Sequence, residues 1–505
     1  MEMTMNKKIT VTVNGVAHLA AAGATISEII SGEKPCGGHG RCGKCRVVAR
    51  GELSEPTEAE RAHLGDAIFR GVRLACVTRA LGDCTIEPLD GRSDVQIMSE
   101  GVQKISSISP SFSCYGVAID LGTTTLAARL YDRSGNMLAH ASGLNPQIEW
   151  GADVISRIEA ALSGQGAALA ASIRSAIDSM IGELACACAL SSLQIDAVIL
   201  TGNTVMLHLL TEQSVEPLSR APFIAERLFG ESLTAGELSL SSLAPDTEVY
   251  LPRCMGAFVG ADIVCAVAAT GITKCGTPAM LADIGTNGEI ALWNGDRLAV
   301  CSTAAGPAFE GVGISMGMRG ATGAIDRVSL EGGELSAHVI GNTEARGICG
   351  SGLIDAVACL LDTEQIDETG FMEEDEVFVL PPVSLNQSDV RALQLAKSAI
   401  CAGMLTLLDR LKLSVADIAA LYIAGGFGSY LDPTNAERIG LLPPGSSGKV
   451  TSVGNAALDG ASMLLFDTAL RQACDSIAER AEVISLSSNK NFSEYYMSGM
   501  LFGEL

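Results

Sequence analysis

Two stretches far apart in this 505-residue chain repeat one pattern. Gly116–Ser142 reads GVAIDLGTTTLAARLYDRSGNMLAHAS, and Met280–Ser302 reads MLADIGTNGEIALWNGDRLAVCS. Each is an apolar strand ending in Asp, a D-x-G-T turn, a second strand, a polar turn and a third strand. Asp120-Leu121-Gly122-Thr123 therefore corresponds to Asp283-Ile284-Gly285-Thr286. Two such turns facing each other make a phosphate clamp, because their backbone N–H groups cradle phosphate oxygens. Asp120 and Asp283 would hold magnesium (Mg2+) through water. Gly122, Thr123, Thr124 and Thr125 in the first turn, and Gly285, Thr286, Asn287 and Gly288 in the second, are the phosphate-binding candidates. Two ordinary Asp-Gly hairpins are the plainer alternative. A third glycine motif, Leu421–Ser429 (LYIAGGFGS), runs an apolar strand into Gly425, Gly426 and Gly428. Such a turn lets a flat base or a ribose lie against backbone, although alone it could be any strand–helix turn.

Ahead of the repeat stands a cysteine-rich segment. Of 16 cysteines, Cys36, Cys42 and Cys45 form a C-x5-C-x2-C group, with Cys76 following after 30 intervening residues. No C-x2-C-x2-C run occurs, which argues against a 4Fe-4S insert. The scattered remainder read as small buried hydrophobes. Lys8–Val13 alternates as a strand, Asn14-Gly15 is a hairpin turn and Val16–Ala20 the return strand. Ala24–Ser31 and Glu55–His63 read as short helices, and Gly71–Ala80 as an extended segment carrying Cys76. Glycines crowd the loop Pro35–Cys45, where backbone N–H groups must approach cluster sulfurs. A zinc site is the alternative, but the long glycine-rich loop and the single distant cysteine do not resemble two zinc knuckles.

The net charge of −24 disfavours nucleic acid and anionic membrane as partners. Met1–Thr10 lacks the apolar core of a signal peptide, so the expected location is cytoplasmic and the cysteines point to thiols and metal. The most apolar stretch, Cys254–Thr273, carries Asp262 and three glycines and reads as a buried helix after a glycine-rich turn. Gly91–Ser113 is polar and serine-rich, and reads as a linker.

The cysteine segment resembles the β-grasp ferredoxins, with the first gap as in their adrenodoxin-like branch, which implies a 2Fe-2S cluster on Cys36, Cys42, Cys45 and Cys76. The three later motifs, in their order, resemble the ASKHA superfamily of acetate and sugar kinases, Hsp70 and actin. That resemblance implies two RNase H-like lobes with ATP between them and Gly425–Gly428 as the adenosine motif. The fusion of the two is similar to the reductive activators of corrinoid proteins. The segments NPQIEWGADVISRI (Asn145–Ile158), TGNTVMLHLL (Thr201–Leu210), TAAGPAFEG (Thr303–Gly311), GICGSGLIDAV (Gly347–Val357), DVRALQLAKSAICAG (Asp389–Gly403) and IAGGFGSYLD (Ile423–Asp432) carry that likeness. Some members have an extra middle domain between cluster and core; here only the linker fills that place.

The expected fold is α/β and α+β multidomain: a ferredoxin-like domain over 1–90, a linker over 91–113, and ASKHA lobes over 114–277 and 278–505. The resemblance implies ATP-dependent one-electron reduction of Co(II) to Co(I) on a corrinoid protein, fed by an upstream low-potential donor, with a homodimer through the ASKHA core. None of the six histidines lies in a D-x-H-x-x-G cobalamin motif, so the corrinoid belongs on the partner. Asp120, Asp283, Glu289 and Glu310 are the candidates for activating water; in the alternative reading Glu289 and Glu310 only buttress turns. Rival functions are a small-molecule kinase, an ATP-coupled donor to another low-potential enzyme, and a redox-sensing module in which nucleotide only gates docking.

Overall fold

The computed structural model describes residues 8–13, 16–30, 40, 45–88, 109–426 and 430–503. Cys36, Cys42, Gly428, the Asn14-Gly15 turn and residues 91–108 of the expected linker lie outside them. The chain forms two compact units, residues 1–94 with 146–169, and residues 95–145 with 170–505.

In the first unit, β1 (Lys8–Val13), β2 (Val16–Ala21), α1 (Ile26–Ile29), β3 (Arg46–Leu53), α2 (Glu58–Leu64), β4 (Val72–Leu74) and β5 (Ala80–Pro88) follow in order. The strands form one mixed sheet, β2-β1-β5-β3-β4, in which β1 and β5 run parallel. Alternation sends Ile9 and Val11 inward against Val47, Ala49 and Ile86. Both helices are shorter than the sequence suggests, because capping boxes set their starts: Thr25 with Glu28, and Thr57 with Glu60. The expected extended run Gly71–Ala80 is broken after β4, where residues 75–77 turn. Glu60 is fully buried and accepts from Arg73 Nε at 2.8 Å, Thr78 Oγ1 at 2.6 Å and the Leu74 N–H at 3.2 Å. Burial alone would raise its pKa; these bonds outweigh it and hold the carboxyl at about 2. The later part of this unit carries α3 (Val154–Ala160), capped by Asp153.

In the second unit, β6 (Tyr115–Leu121), β7 (Thr125–Asp132), β8 (Met137–Leu144), α4 (Gly166–Ala187, from residue 170), β9 (Ile195–Gly202), α5 (Thr204–Leu210), β10 (Glu231–Thr234), β11 (Glu248–Leu251) and α6 (Ala261–Thr270) come first. Their strands make a six-stranded sheet, β10-β11-β9-β6-β7-β8. Then come β12 (Ala279–Ile284), β13 (Gly288–Trp293), β14 (Leu298–Thr303), β15 (Ala324–Glu331), β16 (Glu334–Val339), β17 (Gly347–Ile348), α7 (Gly350–Asp362), β18 (Glu376–Leu380), β19 (Val383–Asn386) and α8 (Gln387–Leu411). The chain closes with β20 (Ala420–Ala424), α9 (Pro433–Arg438), β21 (Val450–Gly454), α10 (Ala456–Phe466), α11 (Thr468–Arg480), β22 (Glu482–Val483) and α12 (Lys490–Ser498). The second large sheet runs β21-β20-β12-β13-β14-β22, and β16-β15-β17 form a small third sheet.

The two large sheets share one plan. In each, a three-stranded antiparallel meander is flanked by two further parallel strands: β9 and β11 beside β6, β20 and β21 beside β12. In each, the outer parallel strand leads to a helix, α6 or α10. The repeat in space is thus larger than the hairpins visible in sequence.

The helix α10 follows β21 of the second sheet but packs on β6 and β9 of the first. It is held there by a buried Arg129–Asp459 ion pair at 2.6 Å and a Tyr131–Ser462 hydroxyl contact at 3.1 Å. A Cβ at Gly460 would lie 2.0 Å from the Cys265 carbonyl oxygen, so only glycine lets α10 cross α6 this closely. The end of the expected linker is also docked. The Ser109 and Ser111 N–H groups donate to Phe466 and Leu465 carbonyls at 2.9 Å, and Phe112 is buried edge-on against Phe466. Among the described residues, only α8 is long and apolar enough to cross a membrane; 78% of its apolar window is buried in the protein. The apolar stretch Cys254–Thr273 contains α6, buried as expected.

Candidate functional site

The ends of the two meanders meet at one cavity of about 280 Å³ in the second unit. Asp120 stands one residue before the end of β6, and Asp283 one residue before the end of β12. Each therefore leaves its sheet at the start of a tight turn. At Gly122 a Cβ would sit 2.6 Å from the Thr125 carbonyl, which forces glycine there. Buried Asn145 pins the first turn, its Nδ2 donating to the Gly122 carbonyl at 2.8 Å and its N–H to that of Thr124 at 2.9 Å. The second turn is tied by Gly285 N–H to Asn287 O and Gly306 N–H to Thr286 O, both at 3.0 Å.

Glu310, in the short helical turn Pro307–Glu310, joins the two motifs. It accepts from Thr124 Oγ1 at 2.7 Å and from Thr286 Oγ1 at 2.6 Å. Asp120, Asp283, Glu289, Gly122, Thr123, Thr125, Asn287, Gly425 and Gly426 line the same cavity. Gly288 does not; it lies under Ile400 of α8, whose Cδ1 would be 2.1 Å from an added Cβ, so its role is packing behind the turn. Gly425 has φ of +94° and a Cβ there would meet the Ile284 carbonyl at 2.8 Å, whereas one at Gly426 would meet nothing within 4 Å. The shared sheet plan gives these glycines a counterpart in the first sheet, Gly202-Asn203 at the end of β9, and Asn203 also lines the cavity.

Sequence reasoning passed over Asp262 and Asn455 as site residues. They open the crossing helices α6 and α10 and line the cavity. Asn455 Nδ2 donates to Asp120 Oδ2 at 2.9 Å. The sequence signal existed: VGAD at Val259–Asp262 and VGNA at Val453–Ala456 each precede a small-residue helix, extending the repeat.

Electrostatics set this cavity apart. Burial raises Asp283 and Asp262 to about 7, each pushed further by neighbouring carboxylates. Burial raises Asp120 to about 6, with the Asn455 hydrogen bond and the Arg129 charge opposing. Glu289 is pushed well above the usual range by burial and by Asp262 and Asp283. Four acids sharing a desolvated cavity repel one another unless protonated or met by a cation. Hard oxygen donors of this kind suit magnesium. Among the described residues no three His, Cys, Asp or Glu side chains converge as a ready-made metal site.

In the first unit, Cys45 lies just before β3 and Cys76 in the turn after β4, with their sulfurs 3.1 Å apart. The Cys76 N–H lies 3.4 Å from Cys45 Sγ, an amide aimed at a thiolate position. The Glu60 network grips the Cys76 turn on both sides, at Leu74 and Thr78. These two thiols and their amide suit an iron–sulfur centre.

A family model described as the C-terminal, ASKHA domain of RACo matches residues 277–504, and one described as the RACo middle region matches 115–275. The second match corrects the expectation that a middle domain is missing: a region of that name covers residues 115–275, where a first lobe was expected. The chain is 35% identical over 452 residues to the corrinoid activation enzyme RamQ of Eubacterium limosum, covering 82% of this chain and 75% of that protein. It is 25% identical over 417 residues to a Co(II) methylated amine-specific corrinoid protein reductase of Methanosarcina barkeri, covering 76% of each. A solved reductive activator for corrinoid, iron-sulfur protein superposes with a TM-score of 0.72 at 27% identity, over 98% of both chains.

Proposed function

The chain belongs to the family of reductive activators of corrinoid proteins, and on that premise we propose that it couples ATP hydrolysis in the Asp120–Asp283 cavity to reduction of a partner's Co(II) corrinoid to Co(I). The observation that carries the reading is the convergence of Thr124 and Thr286, from separate repeats, on Glu310 inside one cavity.

In this reading Asp120 and Asp283 face magnesium through water, and the amides of both turns with the Thr124 and Thr286 hydroxyls take phosphate oxygens. Arriving phosphate takes the threonines from Glu310, which is then free to orient the attacking water. Water attacks the γ-phosphorus, the β–γ bridge bond breaks, and a cavity acid accepts the proton. Positioning and charge neutralisation supply most of such catalysis.

The first unit, with its β2-β1-β5-β3-β4 order, is read as a β-grasp module holding a 2Fe-2S centre on Cys36, Cys42, Cys45 and Cys76. Such a centre supplies a one-electron carrier, at roughly −400 mV in plant-type ferredoxins. The chain's own residues pin the Cys76 turn through Glu60 and direct the Cys76 amide at the Cys45 sulfur. An upstream low-potential donor replenishes the electron. Reducing Co(II) is uphill, and a clamp with nucleotide-dependent states biases it by binding the partner differently in each. By family resemblance the working form is a cytoplasmic homodimer through the ASKHA core.

The test is to mix reduced protein, a Co(II) corrinoid partner and Mg-ATP, then follow the corrinoid absorption. Co(I) is expected to accumulate with ATP and to stay low with a non-hydrolysable analogue. Equal Co(I) without nucleotide would refute the coupling.

A further inference from the structure

One wall of the cavity lies outside the two D-x-G-T turns. It comes from β15, the loops flanking the small third sheet and the start of α7, and brings Asp326, Arg319, Ile340 and Ser351 to the cavity. Asp326, near the start of β15, is fixed on two sides. Its backbone carbonyl accepts from Ser351 Oγ at 2.8 Å, and its Oδ1 lies 2.6 Å from His338 Nδ1 across the β15–β16 pair. The carboxylate is 14% exposed, and its second oxygen has no hydrogen-bond partner among the described residues.

Resting on the nucleotide reading above, we propose that Asp326 recognises the ribose hydroxyls, so that this site selects ribonucleotides over deoxyribonucleotides. A fixed carboxylate only accepts, and it repels phosphate, so it calls for neutral donors. Adenine offers one amino group as donor; the ribose offers a vicinal pair of O–H groups. The glycine turn lines the same cavity, and the open space at Gly426 leaves room for a nucleoside against backbone. His338 acts through Asp326 as a positioning residue: it occupies one oxygen and leaves the other to the ligand.

Titration calorimetry of the full chain with the magnesium salts of ATP, 2′-deoxyATP, 3′-deoxyATP and tripolyphosphate tests this. A lost hydrogen bond to a charged group costs about 10- to 100-fold in affinity. The wild type should therefore bind ATP tighter than at least one deoxy analogue by that factor. Asp326→Asn should bring ATP down to the level of that analogue while leaving tripolyphosphate affinity unchanged, which also reports an intact fold. His338→Asn, at a half-exposed position, should narrow the ratio in part. Equal binding of all three nucleotides by the wild type, or a ratio unchanged in Asp326→Asn, overturns the ribose assignment and leaves the nucleotide site standing. Failure of the wild type to bind any of the four overturns the nucleotide reading and this inference with it.

Discussion

The hydroxyls of Thr124 and Thr286 lie 3.5 Å apart, and both donate to Glu310. By sequence Thr286 matches Thr123, yet its spatial partner is the next residue. The two loops are therefore held together by one carboxylate.

Removing that carboxylate should separate binding from turnover. Glu310→Ala is expected to lower ATP hydrolysis on the order of 100-fold or more, with ATP affinity unchanged or higher because both threonines are released. Phosphate release and calorimetry measure the two effects. Unchanged hydrolysis would move the search for the base to Glu289.

The pH response follows from the raised acids. Asp120 at about 6 and Asp262 and Asp283 at about 7 keep protons that the unfolded chain has shed above its ordinary 3.8. Between those values the native state binds more protons, so stability of the magnesium-free chain must fall as pH rises from about 4 to 7. Thermal unfolding between pH 5 and 7.5 should show this slope, and Asp283→Asn should flatten it. Mg-ATP binding near pH 7 should release protons, seen as calorimetric heats that vary with buffer. Asp283→Ala should also cut turnover on the order of 100-fold or more.

Neighbouring glycines should fail differently. Gly426→Val places methyls in open cavity space and should weaken nucleotide binding tenfold or more with little change in unfolding temperature. Gly425→Ala meets backbone at a positive φ and should destabilise the second unit by roughly 1–3 kcal/mol. If Gly426→Val binds ATP normally, the nucleoside lies elsewhere.

The cysteine unit should be separable. Cys76→Ala is expected to lose iron and visible colour while nucleotide binding persists; loss of both would join the two activities. Glu60→Gln leaves buried Arg73 without its charge partner and should cost roughly 3 kcal/mol. Denaturant unfolding of the iron-loaded chain, followed by its visible absorption, measures this.

Much of the site was legible because its signals are local. A strand ending in D-x-G-T, or in Gly-Gly, announces its own turn. Alternation in Lys8–Val13 likewise reports a face. Asp262 and Asn455 were harder, since each is one polar residue opening an apolar helix, and only the crossing of α6 and α10 brings them to Asp120. Residues 109–113 look like linker by composition; their order comes from carbonyls at the end of α10, which no pattern within the segment can reveal. Helix starts shifted where Thr-x-x-Glu pairs outranked propensity.

The position of α10 also bears on how the protein is made. The first sheet emerges from the ribosome with Phe112, Arg129 and Tyr131 facing a helix not yet synthesised; Asp459, the partner of Arg129, comes 330 residues later. Until then the nascent chain carries an open apolar face and a charge awaiting its mate. The first sheet should thus complete its packing only after translation of residue 466, and a fragment ending before α10 should bind hydrophobic dyes or require a chaperone rather than fold alone.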